Sequence, residues 1–130
     1  MTATAGATLL VHLIVPGEPV PKARPRVARG HAYTPHRTVE AEARVLEYLW
    51  YQYPRLQPQT GRFSVSLTFY LKGVGRGDWD NYSKLACDAL NKRVWVDDRM
   101  VRQANVEMVE HSALPRTEIT VHLLHEAQAA

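Results

Sequence analysis

Apolar residues recur with period two over residues 8–15, where Leu9, Val11, Leu13 and Val15 share one face and Leu10, His12 and Ile14 the other. Alternation marks a strand. Both faces are largely apolar, which predicts a central position in a sheet. Residues 63–71 alternate more cleanly: Phe63, Val65, Leu67, Phe69 and Leu71 point one way, Ser64, Ser66, Thr68 and Tyr70 the other. That is a strand with one buried face. The period lengthens twice. Over 38–53, Val39, Ala43, Leu46, Trp50 and Tyr53 form a helical stripe, and Pro54 ends it. Over 81–92, Tyr82, Leu85, Ala86, Ala89 and Leu90 form an apolar side, while Asp80, Lys84, Asp88 and Asn91 run along the opposite one. Two further strands are expected near 103–110 and 118–125, with Pro115 in the turn between them. The tail 127–130 is expected to fray.

Residues 16–30 hold four prolines and two glycines, which rules out a helix there. A short hairpin near Val27 and Ala32 to Tyr33 fits instead. No repeat or interdomain linker breaks the pattern. The order of elements predicts an α/β chain of the α+β kind, with a small mixed sheet packed on two main helices, as one domain over 1–130.

Of the 130 residues, 45% are hydrophobic, enough for a core and against disorder. Cys87 is the single cysteine, so neither an intrachain disulfide nor a cysteine-built zinc site is possible. A reducing, cytoplasmic setting is expected. The apolar run 7–15 lacks the flanks of a signal peptide and is too short to span a bilayer, so no membrane is expected. A net charge of +3 is modest, but its distribution is uneven. Lys22, Arg24, Arg26, Arg29 and Arg37 fall between residues 22 and 37 without one acid. Such a stretch suits DNA phosphates, whose neutralisation releases counterions. Lys72 and Arg76 precede the acidic pair described next and are expected to guide the strand towards it.

That motif is Arg76-Gly77-Asp78-Trp79-Asp80-Asn81-Tyr82-Ser83-Lys84. A strand, three glycines and a helix outline a dinucleotide-binding turn, but Asp78 stands where the last glycine is needed. A carboxylate there would repel the pyrophosphate that a helix N-terminus attracts. Capping is the simpler alternative: an aspartate at position 80 is a natural N-cap. It explains one acid, not two. In an extended segment, side chains two residues apart lie on one side, about 6.8 Å apart. Two carboxylates that close repel unless a cation or proton lies between them. A second acidic pair, Asp97-Asp98, follows the apolar run Val94-Trp95-Val96. Adjacent residues of an extended segment face opposite ways, so one of the two suffices. Oxygen ligands of this kind suit Mg²⁺, and a bound divalent ion polarises a scissile phosphate and lowers the pKa of water. Lys84, one turn beyond Asp80, is placed to meet a phosphate oxygen.

Asp78-x-Asp80-Asn81-x-x-Lys84-x-x-x-Asp88-Ala89-Leu90-Asn91, followed by Val94-Trp95-Val96-Asp97-Asp98, resembles the RusA family of Holliday-junction resolvases. Val20-Pro21-Lys22-x-Arg24-Pro25-Arg26 and Tyr33-Thr34-Pro35 resemble the N-terminal region of its phage-type members. The resemblance implies a homodimer that cuts four-way DNA junctions with Mg²⁺ or Mn²⁺ and no organic cofactor, in recombination and repair. It implies Asp78, Asp80 and Asp98 as catalytic metal ligands, with Asp97 the alternative to Asp98, and Lys84 as the essential lysine. Asn81 and Asp88 would order the site or cap the helix. A four-way junction has two-fold symmetry, which a C2 dimer matches. Two other readings stay open: a broader branched-DNA or flap nuclease, and a DNA-binding protein without catalysis.

Overall fold

In chain order the elements are β1 (Ala7–Pro16), β2 (Arg26–Ala28), β3 (His31–Tyr33), α1 (His36–Gln52), β4 (Arg62–Tyr70), α2 (Trp79–Leu90), β5 (Val101–Val109) and β6 (Arg116–Leu124). The computed structural model describes residues 6–24 and 26–125, with Arg26 by its backbone alone. The expected fraying of 127–130 lies outside the described residues. Strands β1, β6, β4 and β5 pair in that order. β6 is antiparallel to both its neighbours, and β4 and β5 are parallel. Parallel neighbours need a crossover, and α2 supplies it. The sheet is therefore mixed and backed by two main helices, an α+β fold as the pattern of residues predicts.

Register explains the core. Leu67 pairs with Ile119 on one side and Val106 on the other, so inward-facing residues form continuous rows. Val11, Leu13, Phe63, Val65, Leu67, Ile119 and Val121 are all buried on that face. Val45 and Leu49 of α1 cover it, together with Tyr82, Leu85, Ala86, Ala89 and Leu90 of α2. The α2 set is the apolar side read from the sequence. Trp95, beyond α2, closes the core against Phe63, with ring centroids 6.1 Å apart.

Two expectations are corrected. β1 is an edge strand, not a central one. Its second face is open to solvent, with Ile14 44% exposed. An edge strand must manage its free amides. Here the C-terminal end of α1 does so: the His12 N–H donates to Tyr53 Oη at 2.8 Å, and Gln52 Nε2 donates to the His12 carbonyl at 3.0 Å. The buried stripe of α1 is Thr38, Val45 and Leu49, one residue off the predicted one, and it leaves Val39 and Trp50 exposed. Thr38 lies on the buried stripe, and its Oγ1 accepts the Ala23 N–H at 3.3 Å.

Candidate active site

Because β4 and β5 run parallel with α2 between them, α2 starts beyond the carboxyl end of β4 and returns to the amino end of β5. The acidic motif lies at the first end and Asp97-Asp98 at the second.

At the first end, the loop after β4 is pinned rather than loose. Leu71 is buried, its N–H donates to Val109 O at 2.8 Å and its carbonyl accepts from Ser112 N at 2.7 Å. The Glu18 carboxylate accepts the Lys72 N–H at 3.0 Å. Gly77 passes so close to Pro21 that a Cβ there would sit 3.0 Å from the proline Cβ. That close approach, and not a phosphate cradle, accounts for this glycine. Asp78 is the N-cap of α2, with extended backbone at φ −73° and ψ 154°. Its carbonyl accepts from Asn81 N at 3.0 Å, yet its carboxylate makes no capping hydrogen bond. Asp80 is in the first turn, so it is not the cap either. Asp78, Asp80 and Lys84 are all exposed. Among the described residues, neither carboxylate has a hydrogen-bond or ion-pair partner.

At the second end, the two acids take different work. Asp97 caps the short 3₁₀ turn Asp98–Met100, accepting from Arg99 N at 2.9 Å, with the Arg99 guanidinium at 3.4 Å. The backbone hydrogen bond from Arg99, then the charge of its side chain, holds the Asp97 carboxyl below the usual range. Asp98 is half-buried, and its Oδ1 accepts the Trp95 indole N–H at 2.7 Å. The Cys87 thiol is pushed up to about 12, first by burial and then by the charges of Asp98 and Asp88. Asp98 thus faces the C-terminal half of α2.

A helix of 12 residues is about 18 Å long. Asp78 and Asp80 stand at its N-terminal end, and Asp98 follows it in the chain, beyond Trp95. Among the described residues, no three His, Cys, Asp or Glu side chains are gathered as a metal-binding group. The donor chemistry still suits a hard cation: Mg²⁺ takes oxygen ligands and needs only one or two carboxylates beside waters and substrate phosphate.

The basic residues divide as well. Lys22, counted above with the DNA-facing cations, is occupied by protein: its Nζ lies 3.1 Å from Asp88 and 3.2 Å from Glu42. Its N–H donates to Asn81 O at 2.9 Å. The Lys22 side chain on Asp88 and its backbone N–H on the Asn81 carbonyl thus strap the proline-rich segment onto α2. Glu18 and Glu42, which the sequence left unmarked, complete the strap. Burial alone would lower the Lys22 pKa, but its hydrogen bonds to Asp88 and then Glu42 outweigh that, and the net shift is upward. A raised lysine stabilises the fold below its ordinary value of 10.5 and loses that contribution as pH rises through the folded value. Lys22→Met should cost about 1–3 kcal/mol at neutral pH. The difference from wild type should shrink above about pH 10. Urea unfolding across that range checks both.

Arg37, Lys72 and Arg76 line a groove of about 710 Å³ with Glu18, Pro21 and Tyr82. Arg24 and Arg29 are exposed, Arg29 in the β2–β3 turn; the side chain of Arg26 lies outside the described residues.

The family model for endodeoxyribonuclease RusA matches residues 16–122, a span that contains the pinned loop, α2 and both acidic pairs. The chain belongs to the RusA endodeoxyribonuclease family. No curated protein matches it. RusA nucleases are generally dependent on a divalent metal, in keeping with unpartnered carboxylates at the head of α2. Among the described residues, no helix is long and apolar enough to cross a membrane.

Proposed function

We propose that the protein is a Mg²⁺-dependent endodeoxyribonuclease, with Mn²⁺ as a substitute, that resolves four-way junctions by paired symmetric nicks as a homodimer. The observation that carries this reading is Asp78, an N-cap whose carboxylate does not cap, beside Asp80, which is likewise unpartnered. Among the described residues, neither carboxylate is taken up by a hydrogen bond or ion pair. That weakens the purely DNA-binding alternative, in which they would only cap α2.

Asp78, Asp80 and Asp98 are assigned to metal binding. The bound ion supplies Lewis-acid activation of the phosphate and of the attacking water. Lys84, on the same polar stripe as Asp80, holds a phosphate oxygen and offsets charge that develops on it. Asp97, engaged by Arg99 in the 3₁₀ turn, is assigned a structural role instead. Trp95 orients Asp98 through its indole N–H.

In this reading Asp98 reaches the pair from a second copy, which is supported by the fact that no three such side chains of one chain are gathered as a metal-binding group among the described residues. A two-fold arrangement then yields two equivalent sites, one for each strand to be nicked. Arg24, Arg26 and Arg29 of the hairpin region, with Arg37, Lys72 and Arg76 at the groove, are assigned to DNA phosphates. Lys22 contributes to that surface only through the strap it holds.

A synthetic mobile junction, incubated with the purified protein in Mg²⁺ or in EDTA, tests the reading. Symmetric paired nicks in Mg²⁺ alone, from a species of dimer mass in solution, are expected. Equal cutting of flaps and junctions would favour the broader nuclease. Binding without cutting in either Mg²⁺ or Mn²⁺ would leave only the DNA-binding reading.

A further inference from the structure

Trp79 is the first residue of α2 and stands between Asp78 and Asp80 in the chain. Its side chain is 60% exposed. Trp95 makes the contrast: it is fully buried and its indole N–H is taken by Asp98. Among the described residues, the Trp79 indole N–H has no hydrogen-bond partner. Nothing local calls for tryptophan here. It is a poorer helix former than leucine, glutamate or alanine, and an exposed indole gives up the stabilisation that burial would bring. Its backbone, however, is fixed, since its carbonyl accepts the Ser83 hydroxyl at 2.8 Å. Tyr51 is more exposed, but it lies on α1, away from the acidic motif.

The Cα of Trp79 lies about 3.8 Å from those of both aspartates. A nucleotide whose phosphate meets that pair has its base within reach of the indole. Every base presents a π face, and an aromatic ring on a rigid root is the usual platform for a base that has left the helical stack. Branch points are where duplex stacking is already interrupted, so the cost of unstacking is lowest there.

We propose that Trp79 stacks on an unstacked base beside the phosphate addressed by Asp78 and Asp80, and so fixes where along the strand the nick falls. This rests on the nuclease reading above. The preference it imposes follows stacking strength rather than the hydrogen-bonding edges of the base.

The test uses the full chain and a four-way junction carrying 2-aminopurine at successive positions around the nick. Binding is followed in EDTA by 2-aminopurine emission, and nick positions are mapped in Mg²⁺. With wild type, emission should change at one position flanking the nick. Trp79→Ala should abolish that change, weaken junction binding by about 5- to 100-fold and spread the nicks over neighbouring positions. Trp79→Phe should keep most of the signal. Trp79→Leu, apolar and bulky but without a π face, should behave like alanine, which separates stacking from packing if the alanine variant folds poorly.

An unchanged emission profile and nick map in the alanine and leucine variants would overturn the assignment while leaving the nuclease reading intact. So would variants that elute as monomers where wild type is a dimer, because the ring would then belong to a contact between copies. A wild type that cuts nothing in Mg²⁺ or Mn²⁺ would remove both readings together.

Discussion

Asp80→Asn and Asp98→Asn should each lose nicking of a four-way junction by at least about a hundred-fold, and an equimolar mixture of the two should recover part of it. The recovery follows if Asp98 of one copy completes the Asp78/Asp80 site of the other. Asp80 is in the first turn of α2, and Asp98 accepts the indole N–H of Trp95, beyond the helix. In a mixed dimer, one site combines the altered position 80 with the altered position 98, and the other combines both native residues. If subunits exchange at random, half of the dimers are mixed and each carries one intact site, so about a quarter of the wild-type sites return. They cut one strand only, which turns paired nicks into single ones. Were each site built from a single chain, every site in the mixture would carry one substitution and nothing would return. Denaturing gels of the end-labelled junction, run after co-refolding, separate the two outcomes. Asp97→Asn serves as the control: it should keep nicking within about a few-fold, because that carboxylate serves the 3₁₀ turn and Arg99.

Which copy of the chain supplies Asp98 is not legible in the sequence. Asp78, Asp80 and Asp98 lie close along the chain and read naturally as one cluster, but the intervening residues are a rigid helix and a crossover. A pattern of residue types tells which carboxylates are chemically apt; it does not carry the direction in which β4 and β5 pair. The same limit applies to Lys22. On a proline-rich loop among arginines it looks like one more phosphate contact, and only tertiary packing reveals Glu42 and Asp88 on either side of it. Where periodicity alone decides, it is reliable. The five apolar residues of α2 are all buried, because the 3.6-residue repeat there is uninterrupted and its opposite side is polar. In α1, apolar residues occur on two adjacent stripes, and a single hydrogen bond from Ala23 to Thr38 marks the stripe that packs inward. The edge position of β1 was equally hidden, since its two apolar faces look the same whether or not a second strand pairs beyond it. The cover its edge receives comes from Gln52 and Tyr53, far along the chain.

Trp95→Phe should reduce nicking by about 10- to 100-fold, the usual consequence of removing the partner that orients a metal ligand, while the protein stays folded. The side chain is fully buried and stacks obliquely on Phe63, and its only polar atom points at Asp98. Phenylalanine keeps an aromatic ring in the core but has no N–H to give. The loss of a hydrogen bond to a charged group costs about 1.5–3 kcal/mol, and Asp98 is then free to turn away from its working orientation. Trp95→Ala adds a cavity, with a stability loss of about 3–5 kcal/mol. Urea unfolding gives the stability change, and nicking rates are compared at a temperature where each variant is folded. Leu49→Ala is the decisive comparison. Leu49 is as deeply buried, on α1, and its truncation costs about 2–5 kcal/mol without touching the acid at position 98. It should lose stability and keep its nicking rate. If the folded Leu49→Ala protein loses nicking as severely as Trp95→Phe does, then core integrity alone governs the site and the indole-to-aspartate bond has no separate part in it.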